Sequence, residues 1–202
     1  MQSEDVLQLF RSVGAIRQGH FELTSGRHSA TYVQCALALQ YPLHAERLGE
    51  ALAARFRDLH VDLVASPAIG GIVIGQEVAK ALAKLPGGSN VRAIFAERNA
   101  QGNLILRRGF TVEPNVPVLV IEDVWTTGGS TLETIQAVEE AGGRVVAAGA
   151  LIDRTGGLVD LPVPAEALYS QRIESYDAYD CPLCRAGEAA VRPGSRLSRT
   201  AP

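Results

Sequence analysis

The chemistry in this sequence is concentrated in residues 118–131, VLVIEDVWTTGGST. Four apolar residues run into two adjacent acids, Glu122 and Asp123, and then into a turn of Thr, Gly and Ser with a helix opening near Ser130. A strand of this kind carries its last side chains to the C-terminal edge of an α/β sheet, where open sheets bind ligands. Gly128 and Gly129 remove the β-carbons that would hold a phosphate away from the backbone, while Thr126, Thr127, Ser130 and Thr131 add hydroxyl donors. The first turn of the following helix contributes unpaired N–H groups and the positive end of its dipole, an anion site. Glu122 and Asp123 would repel phosphate, so their natural partners are sugar hydroxyls or a divalent cation. The combination fits a ribose 5-phosphate better than a bare phosphate. It is neither a G-x-x-x-x-G-K-[ST] loop nor a G-x-G-x-x-G turn. The plain alternative is an ordinary strand-turn-helix with acids on its rim.

The elements that must position this segment follow from periodicity. Residues 3–14 form an amphipathic helix with Ser3 as its N-cap, and residues 14–41 are turn-rich, with short runs suited to a hairpin or extended cap. Pro42 opens a helix with Leu43, Leu48, Leu52 and Phe56 at helical spacing. Strand and helix then alternate: strand 61–67, a Gly70-Gly71 turn into helix 72–85, a break at LPGGSN, strand 91–97, a polar loop, strand 116–124, helix 132–143 and strand 144–154. EALYSQRIE offers a last strand. Near-continuous apolar strands indicate a mostly parallel sheet flanked by helices on both faces, an α/β fold.

Composition bounds the rest. The 202 residues, 47% hydrophobic and 20% charged, suit one domain with a full core: a cap over 1–41, an α/β core over 42–175 and a loose tail over 185–202. A net charge of −3 argues against a nucleic-acid binder. No run reaches the ~20 apolar residues of a membrane helix, and the N-terminal residues lack the pattern of a secretory signal. A cytoplasmic protein is expected, without membrane or nucleic-acid partners. Of the 19 basic residues, only Lys80 and Lys84 are lysines, so any required cation must come almost entirely from arginine.

The 122–131 segment resembles the phosphoribosyl diphosphate (PRPP) signature of type I phosphoribosyltransferases. Three further stretches resemble the orotate branch of that family: Phe21-Glu22-Leu23-Thr24-Ser25-Gly26-Arg27-His28-Ser29, the loop Ser66-Pro67-Ala68-Ile69-Gly70-Gly71, and the strand end Ile152-Asp153-Arg154. Cys181-Pro182-Leu183-Cys184 is similar to the end of a subgroup of bacterial orotate enzymes. The resemblance implies a type I phosphoribosyltransferase fold with a small N-terminal hood. It implies transfer of phosphoribosyl from PRPP to N1 of orotate, giving orotidine 5′-phosphate and pyrophosphate in de novo pyrimidine (UMP) biosynthesis. PRPP contacts fall to Glu122, Asp123, Val124, Trp125, Thr126, Thr127, Gly128, Gly129 and Ser130, and orotate contacts to Thr126 and Arg154. Ala68, Ile69, Gly70 and Gly71 form the pyrophosphate loop, and Arg98 and Asp123 are the catalytic candidates. Mg2+ is the implied cofactor, held mainly by PRPP rather than by protein ligands. Residues 97–109 become a mobile lid, and a homodimer is implied in which this lid reaches the neighbouring subunit's site.

Better-known members carry lysines where this chain has Thr24 and Gly70, and their lid carries Lys and His where this one has Arg98. Fixed guanidinium charge would then replace titratable groups. Trp125 packs under the PRPP loop or lines the base pocket, Tyr32 stacks on orotate or closes the cap, and Cys35 belongs to the core. Cys181 and Cys184 make one CxxC pair, half of a zinc ligand set, and are expected as free thiols unless a second pair is supplied. His20, His28, His44 and His60 are expected not to cluster. Two other functions compete: a phosphoribosyltransferase for another base, and a PRPP-sensing regulator without turnover. The regulator would bring a DNA-binding helix or basic surface, and neither is evident.

Overall fold

A computed structural model describes residues 1–23, 25–85 and 90–193. Thr24, most of the LPGGSN break and the tail beyond 193 lie outside the described residues. The central sheet has six strands in the order β5-β4-β3-β6-β7-β8. These are β3 (Leu63–Pro67), β4 (Arg92–Arg98), β5 (Leu104–Leu106), β6 (Pro117–Trp125), β7 (Arg144–Asp153) and β8 (Ala165–Ser170). All neighbours pair in parallel except β4 and β5.

The apolar runs are continuous because both faces are covered. Along β6, Leu119 and Ile121 pack with Leu48 and Leu52 of α3 (Pro42–Ala53) and with Ile74 and Val78 of α4 (Gly70–Ala83). Val118 and Val120 face the other way, toward Ile135 and Val138 of α5 (Gly129–Glu140). Each such fully buried aliphatic side chain stabilises the fold by about 1.5–3 kcal/mol. Leu43, expected on the buried stripe of α3, is 73% exposed: it lies about 140° round the helix from Leu48, and Ala45 takes the buried place in that first turn.

The N-terminal residues build α1 (Ser3–Ser12) and the antiparallel pair β1 (Ile16–Glu22) and β2 (His28–Val33). The N-cap of α1 is Gln2, not Ser3: the backbone N–H of Gln2 bonds Asp5 at 2.9 Å, while the Ser3 hydroxyl donates to the Leu168 carbonyl at 3.0 Å. Tertiary contact took the serine that local capping would have used. The hairpin register shifts between Gln18 and Phe21, and this bulge re-aims His20. As a result His20 and His28 do meet, with ring nitrogens 2.8 Å apart, contrary to the expectation of dispersed histidines.

Two other expectations change. Residues 97–109 are not an irregular loop: β5 folds back on β4, and Asn99 Oδ1 accepts from the N–H groups of Gln101 and Asn103 at 3.0 Å to close the turn. The polar composition hid the short apolar LIL run that pairs there. Residues 185–193, expected as part of a loose tail, return to the hood. Val191 bridges to Phe21, its N–H donating to the His20 carbonyl at 2.8 Å, and its carbonyl accepts from Glu22 N–H at 2.9 Å. No helix among the described residues is long and apolar enough to cross a membrane.

Helices α3 and α4 touch closely at Gly49. A β-carbon there would lie 2.5 Å from the Glu77 β-carbon and 2.8 Å from its carbonyl carbon, so relief requires moving a helix backbone. Gly49→Ala should therefore lower stability by about 1–3 kcal/mol, read as a lower urea midpoint at unchanged slope.

Candidate active site

Parallel pairing brings the ends of β3, β6 and β7 to one edge of the sheet, with Trp125 opposite Asp153. Beyond β6 the chain turns through Thr126 and Thr127 into Gly128, whose φ of +83° is the left-handed conformation that starts α5. A β-carbon at Gly128 would also lie 2.7 Å from Val159. The turn lines a cavity of about 250 Å3 with Glu122, Val124, Thr126, Thr127, Gly128, Gly129 and Ser130, closed by Arg98 and Glu133. Backbone N–H groups at the start of α5 border it, as an anion site requires.

The two acids leave β6 on different errands. Glu122 reaches the cradle and accepts a hydrogen bond from the Thr131 hydroxyl. Thr131 in turn accepts from Trp125 Nε1 at 2.9 Å. Trp125, 1% exposed, thus lies under the turn and orients Thr131 toward the acid. Thr131 is itself fully buried and turned inward, so it is not one of the cradle's outward hydroxyls. Burial pushes the Glu122 carboxyl up to about 7, with the Asp123 charge adding to the shift and the Thr131 bond opposing it. Burial likewise raises Asp123, whose Oδ1 accepts from the Val124 N–H at 3.0 Å.

Asp123 faces the 68–71 loop rather than the cradle. A β-carbon at Gly70 would lie 2.6 Å from both Asp123 carboxylate oxygens, so no larger side chain fits opposite the present carboxylate. Gly71 is also confined: a β-carbon there would lie 3.0 Å from the Ser66 side chain and 3.1 Å from the Ile121 carbonyl. The Ala68–Ile69 peptide is cis, and Ile69 is 86% exposed at the loop tip. Cys35 is buried as expected, its thiol 3.5 Å from the Asp123 carbonyl and shifted upward by burial and by that acid.

Neither lysine approaches this edge. Lys80 pairs with Glu46 and Glu77, and Lys84 with Glu46, across α3 and α4. The cations at the site are arginines. Arg98 donates to Glu133 at 2.9 and 3.4 Å and to the Gly102 carbonyl. Glu133 also accepts from the Leu104 N–H at 3.3 Å, tying the β4–β5 arm to α5 of the same chain. Much of the local positive charge is internally matched, since Arg92 pairs with Glu113 and Arg108 with Glu97. Glu133 escaped the sequence reading because its spacing is that of any exposed helix position.

A second cavity, about 490 Å3, adjoins the cradle and shares Thr126 with it. Its other walls include Arg154, Thr155, Arg172, Glu174 and Tyr176. Arg154 stands out chemically: Nε is buried without a hydrogen-bond partner, the guanidinium makes no ion pair among the described residues, and burial lowers its affinity for its proton. Its turn is held by buried Asp153, which accepts from Thr155 N–H and Oγ1 at 2.7 Å and from Gly157 N–H at 2.6 Å. The hood supports the opposite wall. Ser29 Oγ donates to the Glu174 carbonyl at 2.8 Å, and His28 and Tyr176 exchange backbone bonds at 2.8 Å. Arg27 reaches Ser175 and Asp177. Tyr32 packs on Phe21, ring centres 5.6 Å apart, and closes the cap rather than lining this cavity. Arg172 and Glu174 are expected at the end of the last strand, EALYSQRIE, but β8 stops at Ser170 and the segment beyond it, with Tyr176, turns to line this cavity.

A parallel sheet whose central strand ends in two acids and a glycine turn, under a small hairpin hood, defines a type I phosphoribosyltransferase fold. No family model matches the chain. Among solved structures, the orotate phosphoribosyltransferase of Mycobacterium tuberculosis in complex with PRPP superposes with a TM-score of 0.63 at 22% identity, covering 82% of this chain and 96% of that one. The enzyme from Aeropyrum pernix gives 0.66 at 22% identity, over 83% and 94%. Curated sequences are nearer. The orotate phosphoribosyltransferase of Pelotomaculum thermopropionicum is 50% identical over 196 residues, 97% of this chain and 99% of its own. That of Desulforamulus reducens is 46% identical over 196 residues, 97% and 98%. The chain belongs to the orotate phosphoribosyltransferase family.

The upward shift of Glu122 has a consequence for the ligand-free protein. Between the ordinary value of 4.5 and about 7 the folded chain holds a proton that the unfolded chain has lost, so stability falls as pH rises through that interval. Glu122→Gln should raise unfolding free energy at pH 8, by up to about 3 kcal/mol, and change it little at pH 5. Urea melts at the two pH values check this; equal effects at both would be contrary to it.

Proposed function

We propose that this chain transfers the 5-phosphoribosyl group of PRPP to N1 of orotate, releasing pyrophosphate and forming orotidine 5′-phosphate for pyrimidine nucleotide synthesis. Family membership supports the reaction, and one observation of the chain carries the base assignment. Arg154 is a partly buried, unpaired guanidinium in a cavity that shares Thr126 with the phosphate cradle. A buried cation without an acid calls for an anionic ligand, and a carboxylate can engage it through two parallel N–H donors. Orotate is such an anion, and its ring would meet the ribose carbon at the Thr126 boundary.

The assigned roles follow from position. Thr126, Thr127, Gly128, Gly129 and Ser130, with Val124 in the wall and Trp125 beneath, hold the 5-phosphate on backbone N–H groups and hydroxyls. Glu122 and Asp123 accept the ribose hydroxyls. Burial raises both carboxyls, which suits neutral donors or a hard cation. Asp123 and the oxygens of PRPP would offer Mg2+ the all-oxygen environment it takes, and the ion, held mainly by PRPP, would supply charge neutralisation for the pyrophosphate. In the Ala68, Ile69, Gly70 and Gly71 loop, the two glycines offer the pyrophosphate backbone free of side chains.

As the C1–O bond to pyrophosphate breaks, ribose gains oxocarbenium character and the leaving group gains negative charge. Catalysis is then a matter of holding orotate N1 in line and matching that charge. Arg98 sits at the cradle mouth, and the N–H now given to the Gly102 carbonyl is available to phosphate oxygens. It acts as a fixed charge, not as an acid. The 97–109 arm serves as the lid that excludes water from activated PRPP. We further propose a homodimer in which the arm's tip extends toward the partner's site. Arg107, exposed and without an ion pair among the described residues, is the cation available for that contact.

The reaction is tested by mixing protein, Mg2+, PRPP and orotate and following the loss of orotate absorbance. PRPP binding without turnover would overturn it. Arg154→Ala should raise KM for orotate about 10- to 100-fold with KM for PRPP little changed; an unaltered orotate KM would refute the base-site assignment. Arg98→Ala should lower kcat more than it weakens PRPP binding, as steady-state rates and direct PRPP titration together would reveal.

A further inference from the structure

Outside the nucleotide site, four side chains capable of binding metal converge where the hood meets the C-terminal segment. They are His20 of β1, His28 of β2, Cys181 and Cys184, with one ligand atom of each lying within 4.8 Å of the other three. Cys181 precedes and Cys184 falls within the short helix α6 (Pro182–Arg185). The CxxC pair thus finds its second pair in the same chain, 150 residues and more away in sequence.

The spacing within the cluster is that of a coordination shell. Cys184 Sγ is 3.3 Å from His28 Nδ1 and 3.7 Å from His20 Nε2, and Cys181 Sγ is 3.5 Å from His20 Nε2. A tetrahedral ion with metal–sulfur bonds near 2.3 Å and metal–nitrogen bonds near 2.0 Å requires ligand separations of about 3.3–3.8 Å. The two ring nitrogens, at 2.8 Å, are nearer than this and need separate by only about half an ångström, and no separation in the cluster exceeds 4.8 Å. The outer contacts agree. His20 Nδ1 is 2.8 Å from the Glu188 carbonyl. An N–H donated there leaves Nε2 unprotonated and aimed at the thiols, as a liganding imidazole requires. Three of the four residues are buried. Two histidines and two thiols gathered at an otherwise shielded seam gain little from one another as neutral groups, and much from a shared cation.

We propose that His20, His28, Cys181 and Cys184 bind one structural Zn2+ that staples the hood to the C-terminal segment. All four positions are protein ligands, so the site is closed and does no chemistry of its own. Sulfur with imidazole selects a thiophilic borderline ion, not the hard Mg2+ proposed for the nucleotide site. The ion closes a loop of more than 150 residues between Cys181 or Cys184 and the hairpin. It fixes the strand contacts of Phe21 with Val191 and of His28 with Tyr176. The proposal is independent of the reaction assigned above.

Full-length protein purified without chelator should contain about one zinc per chain by elemental analysis. After removal of the ion, titration with Co2+ should produce the visible d–d bands and thiolate charge transfer of a tetrahedral S2N2 site, saturating at one equivalent. Cys184→Ser and His20→Ala should each weaken metal binding by about tenfold or more and lower the melting temperature to that of the chelated protein. The Co2+ spectrum of the wild-type chain decides the matter even if a variant fails to fold. Absence of these bands in a folded apoprotein, or a Cys181–Cys184 disulfide in the protein as purified that excludes metal, would overturn the proposal.

Discussion

Two carboxylates at the end of a central, buried strand set the terms for everything around them. β6 has to be apolar to fill the middle of the sheet, yet it carries Glu122 and Asp123 near its end, before Val124 and Trp125. Charge in such a place is costly without a partner, and the surroundings supply hydroxyl and backbone donors rather than cations. Thr131, oriented by Trp125, satisfies one acid; the Val124 N–H and the gap left by Gly70 accommodate the other. The resulting site is poised for a ligand with hydroxyls and its own cation. That tension accounts for the tryptophan beneath the turn and for the glycine across from it.

The complementary tension lies across Thr126. Arg154 is a cation held away from acids by a turn that Asp153 pins through three hydrogen bonds, a fourth from Ser170 fixing Asp153 itself. Unpaired acids on one side and an unpaired guanidinium on the other make adjoining cavities with opposite demands. A sugar phosphate and a small anion meet both, and the point where the cavities join is where a bond between them would form. Arginine performs the cationic roles here because both lysines are committed to ion pairs between α3 and α4.

Much of this was legible in the order of residues. Strand-helix alternation, the continuous apolar runs and the glycine-threonine turn predicted the parallel sheet, and they placed the cradle at the end of β6. The reading failed where contacts between distant segments decide. The LIL run at 104–106 is too short to outweigh its polar neighbours until it pairs with β4. Ser3 looks like a cap until its hydroxyl finds Leu168. Leu43 is apolar but falls on the solvent face of α3, opposite the Ala45, Leu48 and Leu52 stripe. Glu133 and Arg172 have no local signature, because their significance comes from what another element places opposite them.

The same division separates the two sites. The proposed phosphate cradle is local: strand end, turn and helix start are consecutive in the chain, so residue types and spacing alone could point to it. Whether Trp125 lined a pocket or lay beneath the turn was left to the packing of β7 and α5. The histidine–cysteine cluster is the opposite case. A CxxC near one end and two histidines near the other carry no mutual information along the chain. A bulge in β1 and the return of the C-terminal segment to the hood bring them within bonding distance. Sequence determines chemistry that can be assembled within one turn of backbone; chemistry assembled across 160 residues is decided only when the sheet and hood have closed around it.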